Sequence, residues 1–158
     1  MKPSNIAKTF TIAAIATLAL AIAPAANADD KGCSNASLKG TFVRKDTGTV
    51  LLPAAAAGPT AKVGTLTFDG NGAVSGAGVA SRSGTIVEVT DTGTYTVNPN
   101  CTGTFAVQVS PGGFTSHYFF AIDDNGSEFQ FICTDSGPIA LVYTGVARRQ
   151  FAVGDWRN

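Results

Sequence analysis

The chain has 158 residues, of which only 14% are charged, and its 18 glycines far outnumber its two glutamates, Glu88 and Glu128. A globular domain normally carries about a quarter charged residues, and beyond residue 30 this chain is rich in Gly, Thr, Val, Ser and Phe, which favour strands and turns over helices. The 11 basic residues balance the 11 acidic ones and no basic cluster exceeds Arg148-Arg149, which argues against nucleic-acid binding.

The first 28 residues have the three parts of a secretory signal peptide. Lys2 and Lys8 precede an apolar run over 10–23, and Ala26-Asn27-Ala28 supplies the small residues of a cleavage site. The apolar run is too short for a membrane span, which needs about 20 residues. We therefore expect residues 1–28 to be removed and residues 29–158 to form one exported domain, secreted or periplasmic, with no stable membrane insertion after cleavage.

The rest of the chain alternates short β segments with Gly, Asn, Asp or Pro at intervals of about 8 to 12 residues. The predicted strands cover 38–45, 63–68, 73–80, 85–90, 93–97, 101–109, 114–122, 127–134 and 139–148. Tight hairpins joining eight or nine antiparallel strands predict an all-β, mostly up-and-down barrel, because closure removes the exposed edges. A two-sheet β-sandwich is the alternative.

Side-chain alternation places most aromatic residues of the later strands on one face. With Asn125-Gly126 as a two-residue turn, His117 faces Thr134 and Glu128 faces Asp123. In the preceding hairpin we expect Val97 to pair with Cys101, and this register also places the apolar residues of the two strands on one face. The shared face carries Phe114, Tyr118, Phe120 and Ile122 together with Phe129, Phe131 and Cys133.

Three stretches resemble a group of small exported bacterial proteins with no assigned activity. They are LTFDGNGAVSG at 66–76, GTYTVNPNCTGTFAV at 93–107 and DDNGSEFQFICTDSGPIALVYTGVARR at 123–149. Such proteins look similar to calycin-like and allene-oxide-cyclase-like barrels. The resemblance implies a barrel that holds a small apolar molecule, and it transfers no individual site residue.

Three cysteines allow one disulfide within the chain, and export permits it. Cys33 and Cys101 both lie at strand ends, where a bond would tether the start of the domain. Cys133 lies on the face of Phe129 and Phe131 and behaves as a small core residue. We expect Cys33 to pair with Cys101 and Cys133 to stay reduced and buried.

No catalytic residue, metal site or cofactor is predicted. His117 is the only histidine, which excludes a multi-histidine metal site, and a histidine base needs an orienting carboxylate. Glu128 is on the same face, but the expected register places it several residue pairs away. We therefore expect His117 to be a polar residue on the solvated face.

The leading functional hypothesis is binding of a small apolar molecule inside the barrel. The predicted contacts are Tyr95, Phe105, Tyr118, Phe120, Phe129, Phe131 and Tyr143. A void beside the Gly- and Ala-rich strand 73–80 would provide the space. The apolar connection 50–62 is either a portal at the barrel mouth or a packed plug.

Two alternatives stay open. One is an isomerase or cyclase in which Tyr118, Tyr143, Arg82, Glu88 or Glu128 assists the reaction. The other is a structural or surface-interaction module whose interior is simply packed.

Overall fold

The computed structural model describes residues 32–123, 125–136 and 138–151. The predicted signal peptide, 1–28, lies outside the described residues. Within the described ranges, no helix has both the length and the apolar character needed to cross a membrane.

Eight antiparallel strands form a closed barrel in which each strand pairs with the next and the last pairs with the first. They are β1 (Gly40–Leu52), β2 (Gly58–Phe68), β3 (Ala73–Arg82), β4 (Thr85–Val97), β5 (Thr102–Ser110), β6 (Phe114–Ile122), β7 (Glu128–Cys133) and β8 (Ala140–Arg149). This is the predicted up-and-down barrel. The sandwich alternative is wrong, because one continuous sheet surrounds one interior.

Two boundaries differ from the sequence prediction. The segments 85–90 and 93–97 form a single strand, β4, because Asp91 continues the inward alternation instead of starting a turn. The predicted connection 50–62 is mostly strand, since β1 extends to Leu52 and β2 begins at Gly58. The connection between β1 and β2 is therefore short. It consists of Pro53, the 3₁₀ helix Ala54–Ala56 and Ala57.

The predicted faces are confirmed. In the β6–β7 hairpin Tyr118 pairs with Cys133, and the Asp123 N–H donates to the Glu128 carbonyl at 2.9 Å. In the β4–β5 hairpin Val97 pairs with Gly103, so the expected partner, Cys101, is wrong by two positions. An even shift leaves every side chain on its predicted face.

One end of the barrel is filled by aromatic rings; we call it the packed end. Phe129 lies at its centre, with ring centroids 5.3 Å from Phe42, 5.6 Å from Phe68 and 5.6 Å from Phe120. The 3₁₀ helix Asn35–Leu38 covers this end, and its Leu38 is fully buried. These edge-on and tilted contacts are the arrangements that aromatic pairs prefer.

A disulfide fastens the covering helix to the barrel. Cys33 and Cys101 are bonded, with Cα atoms 4.8 Å apart, and the Cys33 N–H donates to the Pro99 carbonyl at 3.1 Å. Cys133 is free and buried. All three cysteines are as predicted.

The glycines of β3 do not leave the void that the sequence suggested. Gly78 pairs with Gly64 of β2, and a Cβ added to Gly78 would lie 2.8 Å from the Gly64 Cα. A Cβ on Gly76 would lie 2.5 Å from the Thr65 carbonyl oxygen. The bare side of β3 at Gly76 and Gly78 therefore allows two strands to approach closely, and the open space of the barrel reaches this strand only at Ala80 and Arg82.

Candidate ligand-binding cavity

The opposite end of the barrel, which we call the open end, holds a cavity of about 390 Å³. It lies where the β1–β2, β3–β4, β5–β6 and β7–β8 connections meet. Its apolar wall consists of Val50, Leu52, Pro53, Ala56, Ala80, Val89, Val109, Phe114, Pro138, Ile139 and Leu141. The polar and remaining lining residues are Arg44, Thr60, Lys62, Arg82, Asp91, Gly112, Ser116, Tyr118 and Tyr143.

Four buried charged side chains separate the cavity from the packed end. We call Arg44, Asp46, Lys62 and Asp91 the charged floor. Arg44 donates from Nε to Asp46 Oδ1 at 2.9 Å and from a terminal nitrogen to Asp46 Oδ2. It also donates to Asp91 at 3.2 Å, and Lys62 Nζ donates to the same Asp91 oxygen at 2.5 Å. The two cations and two carboxylates balance each other.

The charged floor is almost completely removed from water. Arg44, Asp46 and Asp91 are each 1% exposed, and Lys62 is 6% exposed. Buried charges persist in proteins when they are paired and hydrogen bonded, and every buried side-chain nitrogen or oxygen of the described residues has a partner. The arrangement is therefore a fixed polar surface at the bottom of an otherwise apolar cavity.

Burial changes the protonation equilibria around this floor. Desolvation and the positive charge of Arg44 lower the pKa of Lys62, against the opposing effect of Asp91. Desolvation also acts against the charged form of Arg44, but the hydrogen bonds and negative charge of Asp46 more than offset it and raise the Arg44 pKa. Arg44 consequently stays charged at physiological pH.

Two tyrosines extend the polar surface upward from the floor. Burial raises the pKa of Tyr118 to about 12. Burial, the charge of Asp46 and a hydrogen bond to it raise the pKa of Tyr143 above its usual value. Both phenols are therefore neutral at physiological pH, where each can donate or accept a hydrogen bond.

The structure separates the seven predicted contact residues into two groups. Tyr118 and Tyr143 line the cavity. The other five lie in the core on the far side of the charged floor: Tyr95, Phe105, Phe120, Phe129 and Phe131. Ligand contact by any of the seven stays a prediction, but only the two tyrosines lie on the wall of this cavity.

Tyr95, one of the five residues in the core, has a structural role. Its hydroxyl donates to the Asn35 carbonyl at 2.9 Å and accepts from the Gly70 N–H at 3.0 Å. Its ring packs edge-on against Phe68 at 4.9 Å. These contacts join the covering helix and the β2–β3 turn to the barrel, so they stabilise the packed end.

Sequence reasoning missed the charged floor. Its signal lies in β1, where Arg44 and Asp46 occupy the same alternation face as Phe42. Charged residues are almost never fully buried unless they are paired. Two opposite charges on the apolar face of a strand are therefore a signal for a paired interior cluster.

The residues considered for catalysis come together only in part. Arg82 lines the cavity with the two tyrosines, but Glu88 is exposed and Glu128 forms an ion pair with Arg148 at 2.6 Å. His117 is exposed, as predicted, and its Nδ1 lies 2.7 Å from Asp135 Oδ1. The described residues contain no group of three or more His, Cys, Asp or Glu suited to a metal ion.

Neither the protein-family models nor the curated proteins contain a match to this chain. Among solved structures, a redesigned β-barrel is similar, with a TM-score of 0.53 and 19% sequence identity. The match covers 76% of this chain and 99% of that one. At this identity the likeness shows the fold alone. The resemblance to small exported bacterial proteins and to calycin-like barrels stays a prediction.

Proposed function

We propose that this chain is an exported binding protein that holds a small, largely apolar molecule in the cavity at the open end of its barrel. The observation that carries the proposal is the cavity itself, about 390 Å³ in volume and open at one end. Small-molecule sites typically measure about 300 to 1,000 Å³ and combine apolar walls with a few fixed polar groups. The wall of this cavity combines apolar side chains with a small number of charged and hydroxyl-bearing ones.

The charged floor also supports binding over simple packing. Burying ion pairs contributes little to stability compared with apolar side chains of the same volume. The packed end shows that aromatic residues of this chain can fill the barrel completely. The charged floor therefore forms a polar boundary of the unfilled volume, and Lys62, 6% exposed, is its most accessible side chain.

Export is supported by two features. The sequence begins with the three parts of a signal peptide, and the Cys33–Cys101 disulfide is compatible with an oxidising compartment. Expression of the full chain in a bacterial host, fractionation and N-terminal sequencing test this part. We expect the mature chain to begin at Asp29 outside the cytoplasm, and a cytoplasmic chain that keeps Met1 would contradict export.

Uptake of N-phenyl-1-naphthylamine, an uncharged probe that fluoresces in apolar surroundings, tests binding directly. A matched pair of variants identifies the site. Leu141→Trp places a large ring on the cavity wall, whereas Val142→Trp places the same ring on the outer face of β8, where Val142 is 63% exposed.

We expect the native protein and Val142→Trp to take up the probe with equal affinity and Leu141→Trp to lose most of that uptake. Thermal unfolding confirms that both variants are folded. Absence of uptake by the native protein would contradict the proposal and favour a structural module. Equal uptake by both variants would place the probe outside the cavity.

A further inference from the structure

The charges around the cavity are not balanced. Its lining contains three cationic side chains, Arg44, Lys62 and Arg82, but only one carboxylate, Asp91. Asp46 lies behind Arg44 and brings the number of carboxylates to two. The excess of one positive charge belongs to Arg82, which forms no ion pair with any carboxylate of the described residues.

Strand register places Arg82 next to the charged floor. In the β2–β3 ladder Lys62 pairs with Ala80, and Thr60 pairs with Arg82. Lys62 and Arg82 are therefore diagonal neighbours on adjacent strands, and both line the cavity. Diagonal positions in an antiparallel pair are about 7 to 8 Å apart, within reach of long side chains.

The two side chains have hydrogen-bond donors to spare. An ammonium group has three N–H donors, and one of those on Lys62 is engaged with Asp91. Within the described chain, no side-chain acceptor is bonded to Arg82, whose guanidinium has five donors. The carboxylate on the cavity lining, Asp91, is already shared between Arg44 and Lys62. This part of the wall is therefore rich in donors and short of acceptors.

We propose that the ligand is an amphipathic monocarboxylic acid whose carboxylate lies between Lys62 and Arg82. This inference rests on the proposed function and adds the chemical class of the ligand. One negative charge would neutralise the excess positive charge, and its two oxygens would accept from both cations. Charge-assisted hydrogen bonds of this kind are the strong ones in proteins.

The rest of the cavity fits the apolar part of such a molecule. Val109, Phe114 and Leu141 lie on strands β5, β6 and β8, none of which neighbours β2 or β3. At about 30 Å³ for a water-sized group, a cavity of 390 Å³ encloses roughly a dozen non-hydrogen atoms, and a larger molecule would extend through its open end. A medium-chain fatty acid such as decanoic acid has this size.

A comparison of decanoate with decanamide tests the proposal, because the two molecules have the same number of non-hydrogen atoms and differ in charge. Affinities at pH 7.5 are measured by NMR titration of the isotope-labelled mature protein. We expect decanoate to bind at least about tenfold more tightly than decanamide, the effect of one charge-assisted hydrogen bond. Equal affinities, or tighter binding of the amide, would overturn the proposal.

Two variants and one control locate the carboxylate. Arg82→Gln and Lys62→Gln should each remove most of the preference for the acid, measured as the ratio of decanoate to decanamide affinity in the folded variant. Lys45→Gln removes the same charge from an exposed position on β1 and should keep the preference. If Arg82→Gln keeps the preference for decanoate, the proposed position of the carboxylate is wrong. The same conclusion holds if Lys45→Gln removes the preference as fully as Arg82→Gln does.

Failure of the acid specificity can be distinguished from failure of the proposed function. If the protein takes up the uncharged probe but does not distinguish acid from amide, the cavity binds ligands and the acid specificity is wrong. If it binds neither the probe nor decanoate, the proposed function itself fails. Arg82 is half-buried and lies at the end of β3, so its replacement leaves the core intact.

Discussion

The packed end and the open end of the barrel are built from the same eight strands but differ in what their inward positions carry. At the packed end these positions hold interlocked aromatic rings, covered by the helix that bears Leu38. At the open end they hold smaller apolar residues around an unfilled volume. The charged floor lies between them, with the Arg44 guanidinium 5.2 Å from the Phe131 ring centre. The barrel thus separates a packed interior from an open cavity along its axis, and we propose that the first supplies stability and the second binds the ligand.

The largest expected effect comes from opening the packed end. Phe129→Ala should lower the free energy of unfolding by about 4 kcal/mol, because it leaves a void among Phe42, Phe68 and Phe120. Phe114→Ala at the cavity should lower it by only about 1 kcal/mol, since Phe114 is half-buried beside existing space. Urea denaturation of both variants measures the difference. Equal losses would contradict the contrast between the ends.

Removing the disulfide should destabilise the packed end without altering the cavity. The bond joins residues 68 positions apart, for which chain entropy gives about 4 kcal/mol of stabilisation. We expect the double variant Cys33→Ala, Cys101→Ala to unfold at lower urea concentration and, while folded, to bind the uncharged probe with native affinity. A folded double variant that has lost probe binding would show that the two ends are coupled.

Breaking one pair in the charged floor should have a slightly smaller effect. Asp46→Leu leaves Arg44 buried with Asp91 as its remaining carboxylate, and we expect a loss of about 3 kcal/mol in the free energy of unfolding. Adding Arg44→Met to Asp46→Leu removes the buried positive charge that lost its partner. The opposite charges of Lys62 and Asp91 then balance each other. The double variant should therefore recover most of the loss. A double variant less stable than Asp46→Leu would contradict this account of the floor.

The smallest effect is a loss of stability at alkaline pH. A tyrosine of the unfolded chain loses its proton near pH 10, whereas burial holds the pKa of Tyr118 at about 12 in the folded protein. The unfolded state therefore becomes charged first, and stability falls as the pH rises from 10 to 12. Relative to Tyr118→Phe, the native protein should lose about 2 kcal/mol in its free energy of unfolding between pH 10 and pH 12. Parallel urea curves at both pH values measure it, and no such loss would mean that Tyr118 is accessible to water.

Much of the packed end was predictable from local pattern. The alternation through Phe129 and Phe131 and the Asn125-Gly126 turn together give the inward face and the β6–β7 register, because the side-chain period of a strand is two. The ends of the strands near the charged floor were predicted less well. Asp91, followed by Thr and Gly, has turn composition, yet it lies inside β4.

The alternation of β1 indicates that Arg44 and Asp46 face inward, but the partners that they find across the barrel required information that one sequence does not contain. Arg44 and Asp91 are 47 positions apart, and their contact depends on which strands become neighbours across the interior. The default position of a charged side chain is outward, and the predicted first strand ended at Lys45, one residue before Asp46. The open volume was located only in part. It reaches β3 at Ala80 and Arg82, whereas the glycines of β3 bring the backbones of β2 and β3 close together.

The position of a bound probe relative to the two ends tests the central claim most directly. Intermolecular nuclear Overhauser effects between N-phenyl-1-naphthylamine and the isotope-labelled methyl groups of the protein report it. We predict contacts with Val109 and Leu141, which line the cavity, and none with Leu66 or Val74, which belong to the buried core. Contacts with Leu66 or Val74, or no contacts with any inward methyl group, would contradict the account.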